Sequence, residues 1–169
     1  MHPRIAEIGV YRGATSACLL AQDIDLRLVM VDLWPSADTA PAYHAAGGTT
    51  PKVLANHADE VYQDALDRTQ FAASRRTVLR IDSVAAAGGF RFRSFDLVFI
   101  DADHRKETVA ADIEAWWSRV RIGGWLCGHD YRDLGVRFGV KTAVTEFSVL
   151  NNLPVEVVNR CWFIKRPPR

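Results

Sequence analysis

The sequence withholds most of the signals that place a chain quickly. Lys and Arg number 21 against 20 Asp and Glu, so neither sign prevails and the net charge is +1. That balance gives no electrostatic footprint for a nucleic acid or an anionic membrane. No apolar run approaches the ~20 residues of a membrane-spanning helix. The opening Met-His-Pro-Arg-Ile has nothing like the apolar core of a signal peptide. Three cysteines, Cys18, Cys127 and Cys161, are odd in number, far apart and set in apolar segments. They read as reduced core residues of a cytoplasmic protein, not as a disulfide frame or a zinc site. Internal repeats are missing too. So are two phosphate-binding signatures: Gly9 and Gly13 are four apart with Tyr11 between them, which breaks G-x-G-x-x-G, and no Gly-Lys-Ser/Thr follows. The broken spacing disfavours a nicotinamide-dependent oxidoreductase.

What is present is a soluble, globular mix: 169 residues, 49% hydrophobic and 24% charged, enough for one domain over residues 1–169. Short β-type runs alternate with helical patterns. The β runs are RIAEIG (4–9), RLVMV (27–31), TVLRI (77–81), DLVFI (96–100), Trp125 to Cys127, Val155 to Val158 and Cys161 to Lys165. Helical spacing covers 14–22, 56–73, 105–120 and about 136–150. In the first of these, Ala14, Ala17, Cys18 and Ala21 share one face. The pair Gly123-Gly124 is expected to turn the chain into the fifth strand. Alternation of this kind predicts an α/β fold, a mostly parallel seven-stranded Rossmann-like sheet with helices on both faces. The last two runs are too close for a helical crossover and should form an antiparallel hairpin at the edge. The stretch 35–55, rich in Pro, Gly, Ala and Thr, is an insertion loop and a candidate lid.

In an open α/β sheet, ligands bind at the carboxyl ends of the strands. Here those ends repeat one chemistry. Strand one holds Glu7 and ends at Gly9; the next four lead to Asp32, Asp82, Asp101 and Asp130. Any one of these could cap a helix or start a turn. Four acids on one rim repel each other unless a cation or a donor-rich ligand sits among them. Gly9 and Gly13 let the first turn approach a ligand closely, and Asp32, 23 residues after Gly9, stands where an acid would take ribose hydroxyls.

These residues resemble a family. E-I-G-V-Y-R-G-A-T-S resembles motif I of the class I S-adenosylmethionine-dependent methyltransferases, in the form E-x-G-x-x-x-G-x-[ST]. V-D-L-W-P is similar to their motif after the second strand. D-L-V-F-I-D-A-D-H and R-I-G-G-W-L-C-G-H-D-Y resemble the fourth- and fifth-strand motifs, and G-V-K-T-A-V-T-E-F with C-W-F-I-K-R-P the tail of one branch. That branch holds small-molecule and sugar O-methyltransferases of the macrocin type and, more distantly, cation-dependent catechol and caffeoyl-coenzyme A enzymes. The resemblance implies S-adenosylmethionine as cofactor. It implies that Glu7, Gly9 and Gly13 hold its amino-acid end, with Tyr11, Thr15 and Ser16 beside it. It places Asp32 on both ribose hydroxyls, and Asp82 with Ser83 by the adenine. Tyr11 stands where the commoner motif has its middle glycine.

Methyl transfer from a sulfonium needs an acceptor oxygen held in line and relieved of its proton. Asp101 and Asp130 match the metal-binding aspartates of the cation-dependent relatives, which implies Mg2+ or Mn2+, with His129 as a further candidate ligand. Histidine suits manganese, iron or zinc better than magnesium. Asp103 is either a third carboxylate or a helix cap. His104 is the best candidate base, and its plainer role is a structural histidine at a helix start; Asp101 is the other catalytic candidate. Arg12, Arg132 and Arg137 could meet an anionic substrate. Tyr43-His44 could face an acceptor, and Trp116-Trp117 reads as helix packing. The expected function is O-methylation of a small hydroxylated molecule such as a sugar, phenol or natural product. The alternative is a cofactor-binding module of the same fold without activity. A small-molecule acceptor is the expected partner, with no nucleic acid or membrane. The first strand begins within a few residues of Met1, so the 35–55 loop or a second subunit of a homo-oligomer is expected to close the site.

Overall fold

The computed structural model describes residues 2–35, 57–134 and 138–168. The insertion loop beyond Pro35, with Tyr43 and His44, lies outside the described residues, as does Arg137. Five strands and their crossovers come first: β1 (Arg4–Ile8), α1 (Ala14–Gln22), β2 (Arg27–Asp32), α2 (Ala58–Arg68), a 3-10 helix (Gln70–Arg75), β3 (Arg76–Arg80), α3 (Ser83–Gly88), β4 (Phe95–Ile100), α4 (Lys106–Trp117) and β5 (Val120–Gly128). Then follow α5 (Val140–Asn151), β6 (Glu156–Val158) and β7 (Cys161–Lys165).

The strands form one seven-stranded sheet in the order β3-β2-β1-β4-β5-β7-β6. β1 to β5 are mutually parallel, and β7 runs antiparallel to both β5 and β6. The expected edge hairpin is therefore present. Strand alternation divides the core in two. Val29 and Val31 of β2 belong to the core on the side of α3, α4 and α5, together with Ala87, Ile113 and Val144. Leu28 and Met30 face α1 and α2 through Leu20, Val61 and Ala65. The order reverses between β1 and β4, which opens the crevice where doubly wound sheets bind ligands.

Local chemistry moved several boundaries. The 56–73 pattern breaks at Thr69, whose buried hydroxyl donates back to the Ala65 carbonyl at 2.6 Å. α4 stops at Trp117, because Val120 already pairs with Phe95. Gly123-Gly124 is no turn before a strand. It sits inside the nine-residue β5, where the register against β4 slips between Phe95 and Leu97, an irregularity that Gly123 accommodates at φ +77. α3 was not expected at all; six residues are too few for periodicity to register. α1 buries Ser16 and Leu20 rather than the Ala14/Ala17/Cys18/Ala21 face. Cys18 is consequently exposed, against expectation, while Cys127 is buried and Cys161 partly so.

Candidate active site

The β1–α1 turn is built around two left-handed glycines. Gly9 (φ +87) lies against the backbone that leaves β4, and a Cβ there would meet the Asp101 carbonyl at 2.2 Å. Gly13 (φ +75) packs on Ala65 of α2. Asp32 ties the turn to β2. One of its carboxylate oxygens accepts from the amides of Val10 at 2.8 Å and Tyr11 at 2.9 Å; the other accepts from Trp34 N at 3.0 Å. Three of about four acceptor positions are thus used, leaving one for an incoming hydroxyl. Tyr11 (φ +52) and Trp34 (φ +36) are both left-handed, and the Trp34 indole N–H donates to the Tyr11 carbonyl at 2.8 Å.

Beneath the turn, Glu7 is 1% exposed and receives a hydrogen bond from the Ser16 hydroxyl. Burial, with Asp101 and Asp32 nearby, outweighs that bond and pushes the Glu7 carboxyl up to about 8. This explains why α1 turns Ser16 inward: the buried acid needs a donor.

A cavity of about 490 Å³ runs along the carboxyl ends of β1 to β4, a size suited to a cofactor or a drug-sized ligand. Its wall includes Gly9, Tyr11, Asp32, Asp82, Ser83, Asp101 and His104. Asp82 caps α3, accepting from Ala85 N at 2.9 Å. The Ser83 hydroxyl accepts from the Trp116 indole at 2.9 Å and bonds to Asp112. Asp112 is 2% exposed, and burial pushes its carboxyl up to about 6 despite Ser83.

At the far end, His104 Nε2 lies 3.2 Å from Asp130 Oδ2, and its ring stacks on Phe138 with centroids 4.5 Å apart. Ligand atoms of Asp101, His104 and Asp130 all fall within 4.8 Å of one another. His129 Nδ1 lies 3.9 Å from Asp101 Oδ1 and 3.5 Å from Asp130 Oδ1. Burial raises the Asp101 carboxyl above its ordinary range, opposed by His129 and His104. Asp103 is committed locally: it accepts from Arg105 N at 2.8 Å and pairs with that guanidinium, so it shapes the entry to α4.

The anticipated residues therefore fall into three places. Gly9, Tyr11, Asp32, Asp82, Ser83, Asp101 and His104 line the cavity. Glu7, Gly13 and Ser16 support it from behind, and Thr15 is exposed. Asp130 and His129 stand beyond His104. Arg12 pairs with Asp64 rather than facing the cavity. Sequence reasoning missed Trp34 and Asp112 on the wall. Asp112 carried a signal, being four residues before the inward Trp116 and three after the inward Val109, hence a polar residue on a buried helix face.

Fold and site together define a nucleotide-type cofactor site at the switch point of a doubly wound sheet. The chain matches the model of a family described as a methyltransferase domain over residues 6–131, and it belongs to that family as a class I S-adenosylmethionine-dependent methyltransferase. No curated protein matches it by sequence. Among solved structures it is similar to the O-methyltransferase NovP, with TM-score 0.69 and 16% identity over 98% of this chain and 72% of that one. A Corynebacterium glutamicum protein gives TM-score 0.66 at 15% identity, covering 99% of this chain and 73% of that one. The methyltransferase MycE of mycinamycin biosynthesis, in complex with Mg and S-adenosylhomocysteine, gives 0.61 at 12% identity; this chain covers only 46% of it. At such identities the likeness establishes the fold. Among the described residues, no helix is long and apolar enough to cross a membrane.

Proposed function

We propose that residues 1–169 act as one domain that transfers a methyl group from S-adenosylmethionine to a hydroxyl of a small molecule in the cytoplasm, with His104 as general base. The observation that carries this is the 3.2 Å contact of His104 Nε2 with Asp130 at the wall of the cavity that also holds Asp32. If Nε2 donates to Asp130, Nδ1 is the ring's free acceptor and can take a hydroxyl proton. Asp32 receives one ribose hydroxyl on its remaining acceptor position, rather than both as the resemblance implies, because three backbone amides already occupy the others. Asp82 and Ser83 border the adenine, and the β1–α1 turn receives the amino-acid end over Gly9 and Tyr11, with Glu7, Gly13, Thr15 and Ser16 around it. The acceptor then sits at Asp101 and His104, in line with the methyl. Because the sulfonium charge vanishes during transfer, placement is worth more than a charged clamp at sulfur.

The convergence of Asp101, His104 and Asp130 favours a second reading. Two carboxylates and an imidazole fit a divalent ion, manganese better than magnesium, with His129 close enough to join after a small shift. Such an ion would stabilise the acceptor's alkoxide or phenolate. MycE was crystallised with Mg, which supports testing it here.

A screen of phenolic and sugar acceptors, read by product mass, tests the activity. His104→Gln should lower kcat ~10²–10⁴-fold while S-adenosylhomocysteine affinity holds. Chelator should leave the wild type active if His104 is the base, and silence it if a metal is required. Cofactor binding without transfer to any acceptor would instead indicate a binding module, and Asp32→Ala with unchanged affinity would remove Asp32 from the ribose.

A further inference from the structure

Beyond His104, two arginines from separate elements meet at one carboxylate oxygen. Arg132 follows β5, and its guanidinium lies 3.3 Å from Asp130 Oδ1. Arg160 sits in the turn between β6 and β7, 3.8 Å from the same oxygen. Neither contact is a hydrogen bond: Asp130 Oδ1 and Arg132 Nε are both buried without a hydrogen-bond partner. Among the described residues, two guanidiniums thus share one carboxylate and keep their donors uncommitted, while both stay partly open to solvent, at 40% and 58% side-chain exposure.

The corner is held in place. Arg132 lies over the Phe138 ring, 5.0 Å from its centroid, and Phe138 stacks on His104. The Tyr131 amide donates to the Arg160 carbonyl at 2.9 Å, tying the hairpin turn to the exit of β5. Asp130, Asn159 and Arg160 are all left-handed, at φ +54, +48 and +67. Asn and Asp adopt that conformation readily in turns, and Asn159-Arg160 is the two-residue loop of the β6–β7 hairpin. The two turns bring both guanidiniums to the same carboxylate oxygen. Arg132 and Arg160 thus serve the one carboxylate of Asp130, with Asp101 the next acid in the cluster. The planar fork of arginine matches an oxyanion with two oxygens to offer.

We infer that Arg132 and Arg160 form an oxyanion-binding subsite of the acceptor, so that the molecule methylated here carries a carboxylate or phosphate group beside its reactive hydroxyl. This rests on the reading of Asp101 and His104 as the acceptor end. His104 lines the cavity and contacts Asp130 Oδ2 at 3.2 Å, so a hydroxyl held at His104 carries its neighbouring substituent toward the solvent-open ends of the two guanidiniums. Asp130 then has two jobs on two oxygens: Oδ2 orients His104, and Oδ1, which His129 Nδ1 also approaches at 3.5 Å, holds the arginines in position.

The test is equilibrium titration of S-adenosylhomocysteine-loaded protein with matched pairs: 3,4-dihydroxybenzoate against 3,4-dihydroxybenzamide, and glucose 6-phosphate against glucose. At least one anion should bind about tenfold or more tightly than its neutral partner, the worth of one charge-assisted hydrogen bond. Arg132→Gln and Arg160→Gln should each bring that ratio toward one, and the exposed Arg91→Gln should leave it. Whichever pair shows the larger ratio names the oxyanion. Equal binding of anion and neutral partner, no binding of either anion, or equal weakening of both partners in the variants would overturn the inference. Failure of the protein to bind S-adenosylhomocysteine would instead overturn the proposed function, so the two are told apart in the same experiment.

Discussion

Glu7 puts a measurable signature on a single residue. Its carboxyl is raised from 4.5 to about 8 because burial penalises the anion more than Ser16 stabilises it. The folded state therefore keeps a proton that the unfolded chain releases. Glu7 adds its full share of stability below pH 4.5, and that share is lost as the pH rises toward 8, a change on the order of a few kcal/mol. Thermal melts at pH 5.5 and 8.5 should show the wild type losing more stability than Glu7→Gln across that interval; parallel losses would mean Glu7 is already ionised in the fold. The acids of the rim were legible in the sequence for a simple reason. Buried parallel strands read as continuous apolar runs, so Asp32, Asp82, Asp101 and Asp130 stand out where each run stops. The arginine pair was only half legible. Arg132 was one of several candidate anion contacts, and the spacing of the last two strands announced the Asn159-Arg160 turn, but the left-handed exit at Asp130 that brings Arg132 to Arg160 has no local signal.

At the level of elements, α3 shows why one residue's two uses must be separated. Asp82 caps this six-residue helix through one oxygen and borders the cavity. Asp82→Ala removes both and should cost ~1 kcal/mol of stability through the cap alone. Asp82→Ser keeps a capping oxygen but no carboxylate. It should melt near the wild type while binding S-adenosylhomocysteine about tenfold more weakly, the loss of one charged acceptor for the adenine amino group. Wild-type affinity in Asp82→Ser would confine Asp82 to capping. The sequence hid α3 because a helix so short has no period to detect. It also made β5 look like a turn followed by a short strand, because Gly123-Gly124 marks a bulge and a turn with the same letters. The remaining strands and the longer helices were readable from periodicity, as was the antiparallel hairpin from its spacing; the ends of α2 and α4 were not, since a Thr69 hydroxyl and a β5 pairing decided them.

Across the whole molecule the switch point separates two tasks. On the proposed function, β1, β2 and β3 would carry the cofactor side and the exits of β4 and β5 the acceptor side, held from beyond by the hairpin. Trp162 of β7 is the joint. It is 1% exposed and pairs with Gly128, where an added Cβ would come within 2.7 Å of the indole. Gly128 is followed directly by His129 and Asp130, so the indole supports the strand end that carries the proposed acceptor residues. Trp162→Ala would open a large void costing ~3–5 kcal/mol, enough to threaten the fold. Trp162→Phe keeps an apolar ring and loosens the joint instead. It should leave S-adenosylhomocysteine affinity within about twofold, since Asp32 and Gly9 lie across the switch point. It should lower kcat by about ten- to a hundredfold, because misplacing reacting groups by ~1 Å costs that order of rate. Measuring both on an acceptor from the screen decides the matter. Equal losses in cofactor affinity and kcat would mean that the sheet behaves as one rigid body and that the hairpin holds up the fold rather than the acceptor site.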